Sequence, residues 1–389
     1  MTETVRPRAA PRSARRSRLF RPDIEGLRAV AVVAVVLCHA GVPGLAGGYI
    51  GVDVFFVISG FLITARMLRE ITATGRLSLL GFYGRRARRI LPAAGVVLVA
   101  TTLAGYHWLG FLAGERIGAD AVWATLFASN IRSAAAGADY LAAQDAPSAL
   151  LHFWSLAVEE QFYLFWPAVV LLLVGLGGRR ILAVGLALAV LASFALSAVQ
   201  AGDTWSYFSP AARGWELGAG CLLALVADRL DRIPPRPATY LAGIGLALIV
   251  VAALSFDETT RFPGYAAVLP VLGALLVLAG RGDALLARPP VRWLGRISYS
   301  LYLWHWPVLV IGAQAYGGPK VLLVLLAVAL AAVTYALVEA PIMHSAGLRR
   351  SAVATLAVAL MLIVTPIAVV WWKSTGPSFQ PRWGAHVSN

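Results

Sequence analysis

Long apolar runs alternate along the chain with short polar breaks rich in arginine. The runs cover about 27–43, 49–69, 90–110, 151–175, 180–200, 211–227, 238–255, 264–280, 297–315, 320–340 and 351–372. A helix needs about 20 mostly apolar residues to cross the hydrocarbon of a bilayer. The pattern therefore predicts an all-α polytopic membrane protein with about 10–11 transmembrane helices. The apolar stretch 121–129 is too short to cross and is expected to be re-entrant or interfacial. Residues 1–25 are polar and basic, with Arg6, Arg8, Arg12, Arg15, Arg16, Arg18 and Arg21 and no apolar period. They are expected to form a disordered cytoplasmic tail. Two apolar runs follow with no small-residue cleavage site between them, the pattern of an uncleaved anchor. The expected division is a tail over 1–25, a transmembrane domain over 26–373 and a short extracytoplasmic tail over 374–389.

Composition sharpens this picture. Of 389 residues, 59% are hydrophobic and 13% charged, and the mean hydropathy is +0.75. A soluble domain runs about 45–50% apolar and about 25% charged. Such an excess cannot be hidden in a water-soluble core, and disordered chains are apolar-poor. The formal charge of +14 would suggest nucleic acid on a soluble chain. Here the basic residues flank apolar runs, which points to membrane orientation and no nucleic-acid partner. With the N-terminus in the cytoplasm, most of the 33 Lys and Arg fall on the cytoplasmic side. The two cysteines, Cys38 and Cys221, lie inside apolar runs and offer neither a disulfide framework nor a cysteine metal site.

Ionisable groups inside spans are costly and usually functional. In the first span, Arg28 and His39 are eleven residues apart, about 1100° of helical rotation, so they share nearly one face about 16 Å apart. His39 reads as a general base or proton relay, against a helix-capping or interhelical histidine. Arg85, Arg86, Arg88 and Arg89 precede the third span as two i,i+3 pairs. They read as a phosphate clamp, against plain topology signals or anionic-lipid contacts. His152, Glu159, Tyr163 and Trp166 form one stripe on the fourth span, with Glu160 about 100° away. Two adjacent carboxylates there need a cavity or a cation, while Trp154 and Trp166 fit an aromatic belt. Asp53 is as consistent with pairing to an arginine as with catalysis. Arg213 and Glu216, at i,i+3, read as an ion pair or a substrate contact. His305, between tryptophans, reads as interfacial packing rather than catalysis. The common metalloprotease, NTPase and serine-hydrolase motifs are absent.

Taken together, six of these segments resemble the acyltransferase-3 family of integral-membrane O-acyltransferases, which acylate bacterial surface glycans. The likeness runs through RPDIEGLRAVAVVAVVLCHAG, GGYIGVDVFFVISGFLIT, FYGRRARRILPA, HFWSLAVEEQFYLFWP, FSPAARGWELGAG and SYSLYLWHWP, in the family's order over about residues 20–372. The family's basic-to-histidine spacing falls on Arg28 and His39. Its RxxR motif fits Arg86 and Arg89, and the offset pair Arg85 and Arg88 also satisfies it. Its acidic position matches Glu159 better than Glu160. Many members carry an SGNH-type domain after the eleventh helix. Here only residues 373–389 follow, so a lost domain, independent action or a separate SGNH-type partner are the alternatives.

The resemblance implies acetyl-CoA or another acyl-CoA as donor, no metal, membrane lipid as surroundings and a glycan as acceptor. It places the protein in the bacterial inner membrane. On this reading the Arg85–Arg89 cluster holds the nucleotide phosphates, Arg28 stands at the entry, and His39 meets the thioester. Glu159 orients His39 or binds the acceptor. Asp53, Glu160, Tyr163, Arg213 and Glu216 contact substrate or hold the fold. The rival classes are a proton-coupled transporter or flippase, in which the same groups relay protons, and a membrane scaffold.

Overall fold

The computed structural model describes residues 21–137, 147–282 and 286–375. The expected tail through residue 20 and the expected tail beyond residue 375 lie outside the described residues. Within them the chain is an all-α polytopic membrane protein, and no strand occurs among the described residues.

Helix α1, Pro22–His39, begins with proline at its first position and Asp23 and Glu25 in its first turn, which suits the positive end of a helix dipole. A 3-10 turn, Ala46–Ile50, leads into α2, Gly51–Thr74, which stops at Gly75 with φ 73°. Ser78 accepts the Gly81 N–H and caps α3, Leu79–Ala104, which runs on through a π turn to Leu109. Helices α4, Phe111–Thr125, and α5, Ser129–Ala135, hold the stretch expected to be too short to span. Helix α6, Phe153–Val199, contains two predicted spans. It breaks at Gly177 and Gly178, where φ 66° and ψ −156° at Gly178 suit a residue without Cβ.

The rest follow as α7 Thr204–Phe208, α8 Pro210–Leu225, α9 Ala227–Leu230, α10 Pro235–Ser255, α11 Val268–Gly280, α12 Pro289–Tyr316, α13 Lys320–Thr334, α14 Ala340–His344, α15 Ala346–Arg350 and α16 Ala352–Thr375. Each predicted span falls on one of these helices. Six described segments are long and apolar enough to cross by length and composition alone: Ala46–Thr74, Leu79–Leu109, Phe153–Val199, Pro235–Ser255, Lys320–Arg350 and Val353–Thr375. The other predicted spans are short, as in α8 and α11, or carry charges, as in α1 and α12.

The centre of the molecule is α2. Its most apolar window is 78% buried, against 11% for Val353–Thr375 at the periphery. Helix α2 packs on α1 and α8, α1 on α12, and α6 on α8. Glycine sets the α2–α8 crossing. A Cβ on Gly60 would lie 1.9 Å from the Leu217 carbonyl oxygen, and one on Gly220 would lie 2.1 Å from that of Val57. The two backbones touch at both positions, the close approach that small residues permit between helices in lipid.

Candidate functional site

Helices α1, α2, α3, α6 and α12 enclose a cavity of about 350 Å3. Arg28, Arg66, Arg86, Arg89, Glu159 and Tyr302 are among its lining residues. An adjoining hollow shares Arg66, Arg85 and Arg89 with it and adds Arg88, Arg349 and Arg350. The two hollows are thus joined along a rim of guanidinium groups.

The four clustered arginines do not act as one set. Arg86 turns inward: its Nη2 donates to Glu160 Oε1 at 2.9 Å and lies 3.6 Å from Glu159 Oε1. Its guanidinium carbon sits 3.7 Å from the Tyr163 ring centroid, a cation–π contact. Arg85 pairs with Glu70 at 3.1 Å. Arg88 turns away, donating to the Leu348 carbonyl at 3.0 Å and to Thr355 Oγ1 at 2.8 Å, where it ties α3 to the start of α16. Among the described residues, Arg89 and Arg66 have neither an ion pair nor a side-chain hydrogen bond, and both line both hollows. Arg28, one wall deeper, donates from Nε to Ser298 Oγ at 3.1 Å.

On α6, the i,i+4 spacing of Glu159 and Tyr163 lets the phenol donate to Glu159 Oε1, which also accepts from Ser59 Oγ on α2. Glu159 is thus committed to Ser59, Tyr163 and Arg86 rather than to His39. Glu160 answers Arg86, so the adjacent carboxylates flank one cation. That is the arrangement a buried pair of acids requires.

At the far end of α1, His39 meets α12. Its Nδ1 lies 3.0 Å from His305 Nε2, and its ring contacts Trp306 edge-on at 4.5 Å. His305 contacts the His152 ring at 5.5 Å, and both His305 and His152 are fully buried. His39 is not among the cavity-lining residues. Tyr302 makes the connection: it lines the cavity, and its ring lies 5.3 Å from His305. Its hydroxyl bonds Ser155 Oγ at 2.6 Å and the His152 carbonyl at 3.0 Å.

Asp53, Arg213 and Glu216 form a separate, fully buried cluster. Arg213 Nη2 lies 3.1 Å from Asp53 Oδ1, and Nε lies 2.9 Å from Glu216 Oε1. Phe56, Trp154, Tyr207 and Phe262 surround the guanidinium at 5.2–5.6 Å. Trp154 is therefore core rather than belt, being fully buried beside this cluster.

Several members of this site were not singled out in the sequence: Ser59, Arg66, Ser155 and Tyr302. His305, expected to pack at the membrane interface, is instead fully buried against His39. The available signal was the HWP segment, where Pro307 interrupts the hydrogen-bond ladder of α12 two residues after a titratable ring. Among the described residues, no group of three His, Cys, Asp or Glu side chains could hold a metal ion.

The family profile described as an acyltransferase domain matches residues 21–339. The peptidoglycan O-acetyltransferase OatA of Listeria monocytogenes is 30% identical over 318 residues, covering 77% of this chain and 51% of its own length. The putative peptidoglycan O-acetyltransferase YrhL of Bacillus subtilis is 34% identical over 351 residues, covering 82% and 54% respectively. The O-acetyltransferase OatA of Staphylococcus aureus is 31% identical over 351 residues, covering 83% and 57%. The chain spans about half the length of these curated relatives. No solved structure matches it.

Proposed function

We propose, from the premise that this chain belongs to the acyltransferase-3 family, that it moves an acetyl group from acetyl-CoA to a hydroxyl of an exported glycan. Peptidoglycan, named for its relatives, is the leading acceptor class. The reading places it as a multi-pass protein of the bacterial inner membrane, with the arginine rim facing the cytoplasm. A separate SGNH-type protein would carry the acetyl group onward where the acceptor lies out of reach.

One observation carries the reading. Arg66 and Arg89, in no ion pair or side-chain hydrogen bond among the described residues, line the same cavity as Tyr302, whose ring lies against His305, the partner of His39. Free guanidinium groups are suited to the phosphates of a nucleotide thioester. The cavity takes the slender pantetheine arm, and the rise of about 16 Å from Arg28 to His39 suits its extended length. Rotation of Tyr302 would then bring the thioester to the histidine pair. The acceptor hydroxyl oxygen attacks the thioester carbonyl carbon while His39 takes the hydroxyl proton. The carbon–sulfur bond breaks, and the proton on His39 passes to the departing sulfur, giving the acetyl ester and CoA thiol.

The test is acetyl transfer from labelled acetyl-CoA to soluble peptidoglycan fragments by the purified protein in lipid nanodiscs. Transfer by the wild type and its loss in His39→Ala, with acetyl-CoA binding retained, are expected. No transfer by the wild type, or full transfer by His39→Ala, overturns the reading.

A further inference from the structure

The backbone of α12 dictates which nitrogen of each ring in the histidine cluster carries a proton. Pro307 has no N–H, so the Leu303 carbonyl four residues earlier loses its helical donor. His152 Nε2 lies 3.1 Å from that oxygen. A carbonyl only accepts, so His152 carries its proton on Nε2. The same logic applies one residue before the tryptophan. His305 Nδ1 lies 2.6 Å from the Tyr302 carbonyl oxygen, so Nδ1 donates.

His305 is fully buried and, among the described residues, bonds to no carboxylate. An imidazolium there would be an uncompensated buried charge, so the ring is neutral and its Nε2 holds a lone pair. His39 Nδ1 lies 3.0 Å from that lone pair. The two ring planes are within 6° of parallel, with centroids 5.2 Å apart. That separation is close to the nitrogen–nitrogen distance plus the two ring radii. The rings therefore meet edge to edge through a hydrogen bond, not face to face.

We propose that His305 is a positioning residue for this acyl transfer: it holds His39 in the tautomer protonated at Nδ1, so that Nε2 is the basic nitrogen. The proposal rests on the reading of His39 as the base. In the transfer step, the acceptor hydroxyl proton moves to His39 Nε2, and the new imidazolium donates from Nδ1 to His305 Nε2 in a charge-assisted hydrogen bond. The proton on Nε2 then moves to the leaving sulfur, and His39 returns to its starting tautomer. His305 plays the orienting part that a carboxylate plays beside a serine protease histidine, but without a charge.

The experiment combines nitrogen-15 solid-state NMR of histidine-labelled protein in bilayers with kinetics. Loss of one ring's signals in His39→Ala identifies His39 among the six histidines. The expected wild-type spectrum has His39 protonated at Nδ1. His305→Leu should populate both tautomers and lower kcat about 100-fold with the KM for acetyl-CoA unchanged. His305→Gln, whose side-chain oxygen can accept from Nδ1, should keep the tautomer and recover much of kcat. An unchanged donor KM shows that the variants are folded. A His39 ring protonated at Nε2 in an enzyme that needs His39 overturns this proposal alone, as does wild-type kcat in His305→Leu. Equal loss in His305→Leu and His305→Gln also overturns it. Full activity in His39→Ala overturns the underlying reading instead.

Discussion

The guanidinium of Arg86 lies 3.7 Å from the centre of the Tyr163 ring, and the phenol of that ring donates to Glu159, one of the two carboxylates that Arg86 neutralises. Arg86 is thereby part of the wall between α3 and α6, while Arg89, one turn along the same helix, is left facing the cavity. A sequence motif of two arginines thus divides into one member paired with two carboxylates and one without an ion pair, although both line the cavity.

The two arginines should respond differently to the same substitution. Arg86→Gln leaves Glu159 and Glu160 together without their cation and should cost about 3 kcal/mol of stability. Arg89→Gln breaks no ion pair or side-chain hydrogen bond and should leave the melting temperature within a degree or two, while raising the KM for acetyl-CoA about tenfold. Thermal unfolding in detergent and steady-state kinetics separate the two. Equal effects on both measurements would remove the division of labour.

Salt offers a second check. Arg66 is exposed at the cavity mouth, so its attraction for phosphate is screened by added electrolyte. Raising ionic strength from about 0.05 M to about 0.5 M should raise the donor KM several-fold. In Arg66→Gln the dependence should be shallower, whereas kcat should not move in either protein.

The buried Asp53–Arg213–Glu216 cluster predicts a pure stability effect. Arg213→Met strands two carboxylates inside an aromatic cage and should destabilise the protein by about 3–5 kcal/mol. Replacing all three charges with apolar residues of similar size should cost much less, since no charge is then left unpaired. Comparison of expression level and thermal unfolding for the single and triple variants decides this. A triple variant worse than Arg213→Met would mean that the charges do more than satisfy one another.

The α2–α8 crossing predicts severe sensitivity at one small residue. Gly60→Val places branched carbon atoms where the Leu217 carbonyl stands, so the helices must part. Loss of folded protein is expected, and even Gly60→Ala should lower the melting temperature. Gly243→Ala, in open space on α10, is the control and should be silent.

Much of this was legible in the residues. Each apolar run became a helix because bilayer-length apolarity is a one-dimensional property. Arg213 and Glu216 pair as their i,i+3 spacing allows, and Asp53 took the arginine partner that was one of its two readings. The stripe on α6 brought Glu159 and Tyr163 together. What stayed hidden was which helix faces which. His305 and His39 are 266 residues apart, and no local pattern places the middle of α12 against the end of α1. Likewise Arg86 and Glu160 are 74 residues apart, so the sequence could not say which arginine would be neutralised. Arg66 escaped notice because it sits at the polar end of an apolar helix, where a cation is unremarkable.

Two helices whose carbonyl oxygens press on each other's bare α-carbons cannot roll or slide without collision. Gly60 and Gly220 therefore clamp α2 to α8 as a rigid strut, and α2 carries Ser59, Arg66 and much of the cavity floor. Any rearrangement of the helices that preserves this joint has to carry α2 and α8 together as one body.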